Sequence, residues 1–360
     1  MLAMTGYFLL ALFLLTIAHE YGHFLLARLT NVKVLRFSFG FGPVLARIQG
    51  KRGTEYTWSL IPLGGYVKML DEADGDVTAA ERHLAFNRKS IFVRGAVVFA
   101  GPAFSIVFAF ILLWLVSVIG RPVIPTIPPV VGEVLADSPA QLAGIVAHDR
   151  ILSIAHNQVT DWMDVVEFVK SHPNQDVTVQ LMRNNKLREK KIHIGKILDN
   201  GKMLGYFGVR SKHVEWPADG RVQRENPIRA LHVAFNQTVA LTGATFALCG
   251  RLVSGQLSWQ IVSGPVGIAQ GARDAGRDGI VYYLSFLALV SISVGVLNLL
   301  PIPMLDGGHL LYFLIEIVTR KPLSERSKNI SASVGIVMLV MLMVVGLGND
   351  VVRLQHGLGS

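Results

Sequence analysis

Four long stretches of the chain are almost free of charged residues, and they give the first indication of its architecture. A helix needs roughly 20 apolar residues to cross a hydrocarbon core of about 30 Å. The stretches that reach this length are Leu2–Ala27, Gly95–Gly120, Ile280–Leu305 and Ile330–Gly348. They predict transmembrane helices over residues 1–29, 91–120, 280–305 and 330–349. The first stretch carries no positive charge at its start, so we expect a retained span rather than a secretory signal.

Composition supports a membrane protein. Of the 360 residues, 51% are hydrophobic and 16% are charged, whereas soluble domains have about 25% charged residues. The mean hydropathy is +0.45. The formal net charge of +9 does not indicate nucleic-acid binding, because much of it lies in two short loops between the apolar stretches. The single cysteine, Cys249, excludes an internal disulfide.

The basic residues of those two loops predict the orientation, since cytoplasmic loops carry an excess of Lys and Arg. The loops over residues 30–90 and 306–329 are therefore expected in the cytoplasm. Both termini, with the tail at 350–360, and the long segment 121–279 are then expected on the outer side. The basic residues concerned are Lys33, Arg36, Arg47, Lys51, Arg52, Lys68, Arg82, Arg88 and Lys89, then Arg320, Lys321, Arg326 and Lys328.

The segment Ala230–Gly250 is an alternative fifth span. It contains no Asp, Glu, Lys or Arg, but His232, Asn236, Gln237 and several threonines interrupt it. We therefore predict that residues 216–279 form an amphipathic linker with a helix on the outer membrane surface.

The first span contains a candidate metal site. His19-Glu20-Tyr21-Gly22-His23 is an H-E-x-x-H pattern, and residues i and i+4 share one helix face. Both imidazoles could reach one Zn²⁺, with Glu20 beside it as general base. The alternative is two histidines that hydrogen-bond to neighbouring helices. An apolar span favours the metal site, because an uncompensated glutamate is costly there.

A catalytic zinc usually has three protein ligands, and the end of the third span offers the third. Asp306 is the carboxylate in this otherwise apolar region, while His309, one turn further on, is a possible substitute. Asn298 could hydrogen-bond a peptide or an oxyanion, or only a neighbouring helix. Pro301 and Pro303 break regular helix, and freed backbone groups are tolerated at membrane depth where they line a cavity.

The depth of these residues tests the number of spans. With four spans, the first and third run in the same direction, so His19 and Asp306 lie at similar depth near the cytoplasmic face. A fifth span at Ala230–Gly250 would carry Asp306 to the opposite face. If Asp306 binds the metal, the fifth span is excluded.

With these motifs the sequence resembles the site-2 intramembrane metalloproteases, and among them the bacterial RseP-type branch. The resemblance covers nearly the whole chain and rests on HEYGH, NLLPIPMLDGGH, FGFGP, IPLGGYVKM and an insert similar to a PDZ domain. It implies one Zn²⁺ bound by His19, His23 and Asp306, with Glu20 as catalytic base and Asn298 assisting. It also implies single-pass membrane substrates, typically an anti-sigma factor after a first cut, and leftover signal peptides.

Three features depart from the pattern of the family that the sequence resembles. Ser105 stands where the family usually has Asn, so a polar contact in the second span is expected to be weaker. His148-Asp149 replaces the usual Gly-Asp before a strand of the insert. Many RseP-type proteins have two PDZ domains, whereas this chain has room for one.

The cytoplasmic loop predicts a β-hairpin. Leu35–Arg47 and Thr54–Met69 are rich in aromatic and β-branched residues, with glycine punctuation. Such a hairpin beside the metal could pair with an extended substrate, because a helical substrate protects its own peptide bonds. The alternative is a hairpin that only anchors the loop at the interface. The predicted substrate-binding residues are Gly40, Phe41, Gly42, Pro301 and Pro303.

Residues 121–215 predict one PDZ-like α+β domain. The pattern offers strands near Val130 and Arg150, a helix after Asp161, a further strand at Val177–Leu181 and a hairpin turn at Asn184-Asn185. PDZ domains bind peptides by strand addition. The insert could equally be a filter against bulky substrates, and the family analogy favours the filter.

The predicted fold class is thus an α-helical polytopic membrane protein with four transmembrane helices, a membrane-associated β-hairpin and one extracytoplasmic PDZ-like α+β domain. The leading hypothesis is a monomeric zinc endopeptidase of a bacterial inner membrane that acts in regulated intramembrane proteolysis. A PDZ adaptor with a structural metal site is the second hypothesis. A metal transporter is disfavoured, because the sequence lacks internal repeats.

Overall fold

The computed structural model describes residues 2–73, 75–122, 127–155, 157–199, 202–211, 222–321 and 323–357. Its helices are α1 (Leu2–Leu29), α2 (Ile91–Ile119), α3 (Pro139–Leu142), α4 (Trp162–Ser171), α5 (Pro227–Val253), α6 (Pro265–Asp278), α7 (Ile280–Leu299), α8 (Asp306–Thr319) and α9 (Glu325–Gly357). Its strands are β1 (Val34–Gln49), β2 (Glu55–Met69), β3 (Arg121–Pro122), β4 (Val131–Val134), β5 (Arg150–Ile154), β6 (Asn157–Gln158), β7 (Asp176–Arg183), β8 (Lys186–His193), β9 (Gly195–Asp199), β10 (Lys202–Tyr206), β11 (Val209–Ser211) and β12 (Val222–Gln223). The chain divides into a helical unit, residues 1–121 with 223–360, and an insert, residues 122–222.

Within the described residues, four helices are long and apolar enough to cross a membrane. They cover Thr5–Leu29, Ile91–Ile119, Ile280–Leu299 and Arg326–Arg353, which agrees with the four predicted apolar stretches. Helix α2 is the centre of the helical unit, since α1, α5, α7 and α8 all pack against it. Small residues allow this close packing: a Cβ on Gly22 of α1 would lie well inside 3 Å of the Ala100 carbonyl of α2.

Two predicted boundaries in this unit are wrong. The helix predicted over 280–305 ends at Leu299, because Pro301 and Pro303 cannot continue it. Residues 306–329, predicted as a loop, begin with the 14-residue helix α8. The apolar run that follows Gly308 supplies the residues for this helix.

The predicted tail at 350–360 is also partly helical, because α9 continues to Gly357. Asp350 is buried and accepts hydrogen bonds from the backbone N–H groups of Gly264, Val266 and Gly267 at 3.0–3.1 Å. It thereby satisfies the free N–H groups at the start of α6. The last three residues of the predicted tail lie outside the described residues.

Helix α5 lies in the segment of the predicted linker and is not among the four candidate spans of the described residues. Its position on the membrane surface stays a prediction. Its buried face, Ala230, Ala234 and Thr238, has the four-residue spacing of one helix face. It packs against α2 and α7. Residues 216–221 of the predicted 216–279 linker lie outside the described residues.

The predicted cytoplasmic hairpin is present, as β1 and β2 pair antiparallel. Its register shifts repeatedly, and both Gly40 (φ +86°) and Gly42 (φ +84°) have a left-handed backbone that favours glycine. The hairpin packs on α1, where Phe13 lies 4.9 Å from Phe39 between ring centroids. Several large apolar side chains of its outer part are exposed: Phe41, Val44, Leu45, Ile48, Trp58, Leu60 and Ile61.

The insert is an α+β unit with its own core. Its main sheet has the order β6-β5-β7-β8, and β9 pairs with β10 and β4 with β11. The predicted helix after Asp161 is α4, where the Asp161 side chain and Asp164 form a capping box. Asn184 (φ +51°) and Asn185 (φ +57°) form the predicted turn between β7 and β8. Residues 123–126 and 212–215 of the predicted 121–215 domain lie outside the described residues.

Candidate metal centre

Three predicted ligands converge in the helical unit. Nε2 of His19 lies 3.2 Å from Oδ2 of Asp306, and Nε2 of His23 lies 3.5 Å from the same oxygen. The three side chains are 13%, 12% and 17% exposed. One ligand atom from each lies within 4.8 Å of the other two.

The distances suit one shared cation better than direct bonds between the side chains. Tetrahedral ligands at about 2.0–2.1 Å from Zn²⁺ are about 3.3–3.4 Å apart. The two measured separations bracket that value. Oδ2 of Asp306 is buried and has no hydrogen-bond partner among the described residues. A buried oxygen of this kind requires compensation, and a metal ion would supply it.

Helix α1 presents both imidazoles, and α2 fixes their orientation. Nδ1 of His23 lies 2.9 Å from the carbonyl oxygen of Val97, which can only accept, so Nδ1 carries the hydrogen. Nδ1 of His19 lies 3.1 Å from Oγ of Ser105, whose own hydroxyl can donate to the carbonyl of Gly101 at 3.3 Å. In both histidines Nε2 is therefore the nitrogen available to a metal.

Glycines provide the space for this arrangement. A Cβ on Gly101 would lie well inside 3 Å of Nε2 of His23. A Cβ on Gly307 would similarly collide with the carbonyl oxygen of Leu300, and one on Gly308 with that of Ile302. The two glycines after Asp306 thus let the first turn of α8 pack directly on the chain segment that follows α7.

A cavity of about 700 Å³ opens beside the three ligands. Glu20, Asn298 and His309 line it together with His19, His23 and Asp306. Nδ2 of Asn298 donates to the carbonyl of Val294 in its own helix at 3.0 Å. Glu20 is in the cavity wall beside Gly65 of β2, where a Cβ would lie 3.3 Å from Cγ of Glu20.

The five predicted substrate-binding residues are absent from the described lining of this cavity. The hairpin contributes β2 residues 65–69 instead of Gly40, Phe41 and Gly42 of β1. Phe41 stacks on Tyr66 with ring centroids 6.1 Å apart, so it contacts one lining residue. Pro301 and Pro303 lie in the segment between α7 and α8, of which Met304 and Leu305 reach the cavity.

Sequence reasoning did not find two of the groups that orient the ligands. The sequence analysis expects only a weaker polar contact at Ser105 and names no partner for it, whereas its hydroxyl faces Nδ1 of His19. The Val97 carbonyl is a backbone group and has no sequence signal. A signal for Ser105 was available, because a polar residue one turn after Gly101-Pro102 on an apolar helix requires a buried partner.

Comparison with known proteins is consistent with this geometry. Residues 7–342 match the model of peptidase family M50. The regulator of sigma-E protease RseP of Salmonella typhimurium is 33% identical over 440 residues, which cover 96% of this chain and 98% of that protein. The chain belongs to peptidase family M50. The resemblance to the RseP-type site-2 proteases is therefore confirmed, and the protein is a peptidase by family.

Two further matches add detail. A protein of Vibrio cholerae, provisionally named a zinc metalloprotease, is 32% identical over 445 residues, 96% of this peptidase and 98% of that protein. The PDZ domain of an SdrC-like protein from Listeria monocytogenes matches 25% of this chain and 92% of its own, with 19% identity and a TM-score of 0.21. Such a TM-score does not establish the fold of the insert, so the PDZ-like interpretation stays a prediction.

The Salmonella relative is longer than this chain. The Salmonella alignment has 440 positions, whereas 96% of 360 residues is about 346. The relative therefore has roughly 90 residues without a counterpart in this chain. That difference is the size of one small domain.

Proposed function

We propose that this M50 peptidase is a zinc endopeptidase that cuts transmembrane segments of single-pass membrane proteins. The observation that carries the proposal is the convergence of His19, His23 and Asp306 inside the helical unit, with Glu20 in the wall of the adjoining cavity. His19, His23 and Asp306 would hold one Zn²⁺. The donor set of two imidazoles and one carboxylate is typical of catalytic zinc sites, which keep a position open.

Zn²⁺ bound there would polarise the scissile carbonyl and activate water near neutral pH. Glu20 accepts a proton from the attacking water and transfers it to the leaving amide nitrogen as the C–N bond breaks. Asn298 hydrogen-bonds the substrate backbone or the developing oxyanion with its amide group. The walls of the cavity hold the substrate beside Glu20.

We propose four membrane crossings with both termini on the outer side. The 3.2 Å separation of His19 and Asp306 supports this topology. With a fifth span at α5, the end of α7 would lie at the face opposite to His19. The charged loops support a cleavage site near the cytoplasmic face of a bacterial inner membrane. We expect the peptidase to be a monomer.

The substrates are proposed to be an anti-sigma factor after a first cut, and remnant signal peptides. The name of the Salmonella relative, a regulator of sigma-E protease, supports the first of these. Because a helical substrate protects its peptide bonds, the hairpin is proposed to hold an unwound substrate as an added strand. Gly40, Phe41 and Gly42 would then act through the hairpin edge, and Pro301 and Pro303 through the shape of the α7–α8 segment.

The insert is proposed to be a PDZ-like filter on the outer side that excludes substrates with bulky external domains. Its independent core supports a separate domain. Binding of a substrate peptide by strand addition is the alternative role.

The test is the Glu20→Gln variant of the purified full chain. It is expected to retain zinc and to lose cleavage of a reconstituted single-pass substrate. Glu81→Gln is the matched control, because Glu81 pairs with Lys33 and does not line the described cavity. Full cleavage by Glu20→Gln would contradict the mechanism. A zinc that a small hydroxamate cannot reach would favour the adaptor with a structural site.

A further inference from the structure

Asp306 is the first residue of α8, so the position of its carboxylate depends on what fixes this helix. The preceding segment from Leu300 to Leu305 is not helical and contains Met304 with φ +77°. Within α8 only Gly307 and Gly308 are buried. These two contacts fix the first turn, but they leave the tilt of the remaining three turns to other contacts.

One charged contact joins the far end of α8 to α2. Nη2 of Arg94 lies 2.6 Å from Oε1 of Glu316, and the two side chains are 17% and 23% exposed. The guanidinium also lies over the ring of Phe313, 4.9 Å from its centroid. Nε of Arg94 is buried and makes no hydrogen bond among the described residues, so Glu316 is its main compensation. The contact is therefore charge-assisted and poorly replaceable by water.

The helix that carries Arg94 also orients the other two ligands. Val97, one turn after Arg94, accepts the hydrogen bond from His23, and Ser105 faces His19. Glu316 is ten residues after Asp306, about 15 Å along the helix. The pair thus lies away from the reacting groups, yet it connects the helix of the third ligand to the helix that orients the first two.

We propose that the Arg94–Glu316 ion pair is a latch that fixes the tilt of α8 and thereby holds the carboxylate of Asp306 at the metal centre. Arg94 and Glu316 are positioning residues and do not touch the substrate. The inference rests on the proposed metal centre. Outer groups that orient metal ligands tune the affinity of a site, so a tilt of α8 that displaces Asp306 is expected to weaken binding. Changes to groups that hydrogen-bond metal ligands typically reduce affinity about 10- to 100-fold, and a pair that acts through the helix of Asp306 is expected to have an effect at the lower end of this range.

The test measures zinc affinity instead of peptidase activity. Purified full-length chain in detergent competes for zinc with a chromophoric chelator, and its thermal unfolding is followed in parallel. Glu316→Gln is expected to weaken zinc binding by about tenfold or more. Glu55→Gln is the matched control, because it breaks the pair with Arg36, is 18% exposed and lies in the hairpin. It is expected to bind zinc as the wild type does.

A double variant covers the case in which Glu316→Gln does not fold. Arg94→Glu with Glu316→Arg keeps an ion pair between the same helices and is expected to bind zinc within about threefold of the wild type. Unchanged affinity in Glu316→Gln, equal losses in Glu316→Gln and Glu55→Gln, or a loss of tenfold in a folded double variant would overturn the latch. A wild type without zinc would contradict the metal centre itself, and the latch with it.

Discussion

The two ring nitrogens of His23 face different partners. Nδ1 donates a hydrogen bond to the carbonyl of Val97 at 2.9 Å, while Nε2 lies 3.5 Å from Oδ2 of Asp306. The backbone of α2 therefore selects the tautomer in which Nε2 has a free lone pair. The same helix leaves room for the ring at Gly101. The metal centre thus depends on α2 although α2 supplies no ligand.

The space at Gly101 gives the first prediction. Gly101→Ala would place a Cβ well inside 3 Å of Nε2 of His23, so the ring must leave its present position at the metal centre. We expect zinc affinity to fall by more than about tenfold. Gly95→Ala is the control in the same helix, because its Cβ would meet Phe313 at an ordinary 3.9 Å. Metal titration of both variants checks the prediction, and equal affinities would contradict it.

The hydroxyl of Ser105 gives the second prediction. Ser105→Ala removes the group that faces Nδ1 of His19, so zinc affinity is expected to fall about tenfold with little change in fold. Ser117→Ala is the control, since Ser117 is equally buried in α2 and its hydroxyl donates to the carbonyl of Leu113 in the same helix. A loss of zinc in the control alone, or in neither variant, would show that Ser105 does not orient His19.

The insert contains a buried ion pair whose pH dependence is predictable. Arg183 contacts both carboxylate oxygens of Asp149, at 2.6 and 2.7 Å, and the N–H of Val146 donates at 3.0 Å. Burial alone would raise the pKa of Asp149, but these hydrogen bonds together hold the pKa below its usual 3.8. The folded carboxyl therefore binds its proton more weakly than the unfolded one.

This pKa shift stabilises the insert fully above pH about 4, and the contribution is lost as the pH falls through the folded-state pKa. Asp149→Asn is expected to cost about 3 kcal/mol at pH 7 and less in acid, where the wild type loses the same pair. Asp176→Asn is the control, because Asp176 is exposed, and a change below about 0.5 kcal/mol is expected. Hydrogen exchange of the insert in the full chain measures both. If the difference in stability between the wild type and Asp149→Asn did not change with pH, the lowered pKa of Asp149 would be contradicted.

His148 stands in a backbone conformation that favours glycine, with φ +71°. Its N–H donates to the carbonyl of Val131, which keeps it in this conformation. His148→Gly is expected to stabilise the insert by about 1 kcal/mol, because it removes the left-handed strain of a side chain. At Asn174 (φ +59°) the same change should gain less, since the short polar side chain of asparagine can hydrogen-bond locally in this region. Hydrogen exchange of the insert measures the stability that each variant gains. A larger gain at Asn174 than at His148 would contradict the explanation.

The sequence predicted the site best where residues of suitable chemistry also have the spacing of one helix face. The spacing of His19 and His23 and the cost of Glu20 in an apolar span predicted a metal site, and Asp306 lies beside both histidines. Period and charge also predicted the four apolar helices and the hairpin. These features depend on local pattern, which a single sequence contains.

The features that were missed depend on tertiary packing. Pro301 and Pro303 indicated a break in regular helix, yet the helix was predicted to run to residue 305 and ends at Leu299. The sequence did not show that the chain resumes as α8, because Gly307 and Gly308 are weak helix formers in isolation. The Val97 carbonyl and the Arg94–Glu316 pair join residues far apart in sequence. Residues of β2 line the cavity. The alternation of residues in the two strands does not predict which strand lines it.

X-ray absorption at the zinc edge, with metal analysis of the purified full chain, shows directly whether His19, His23 and Asp306 bind zinc. We expect one zinc per chain, with only nitrogen and oxygen ligands at about 2.0–2.1 Å. Asp306→Ala and His23→Ala are predicted to lose most of this zinc. A wild type that binds no zinc, or an unchanged spectrum and full zinc content in Asp306→Ala, would contradict this expectation.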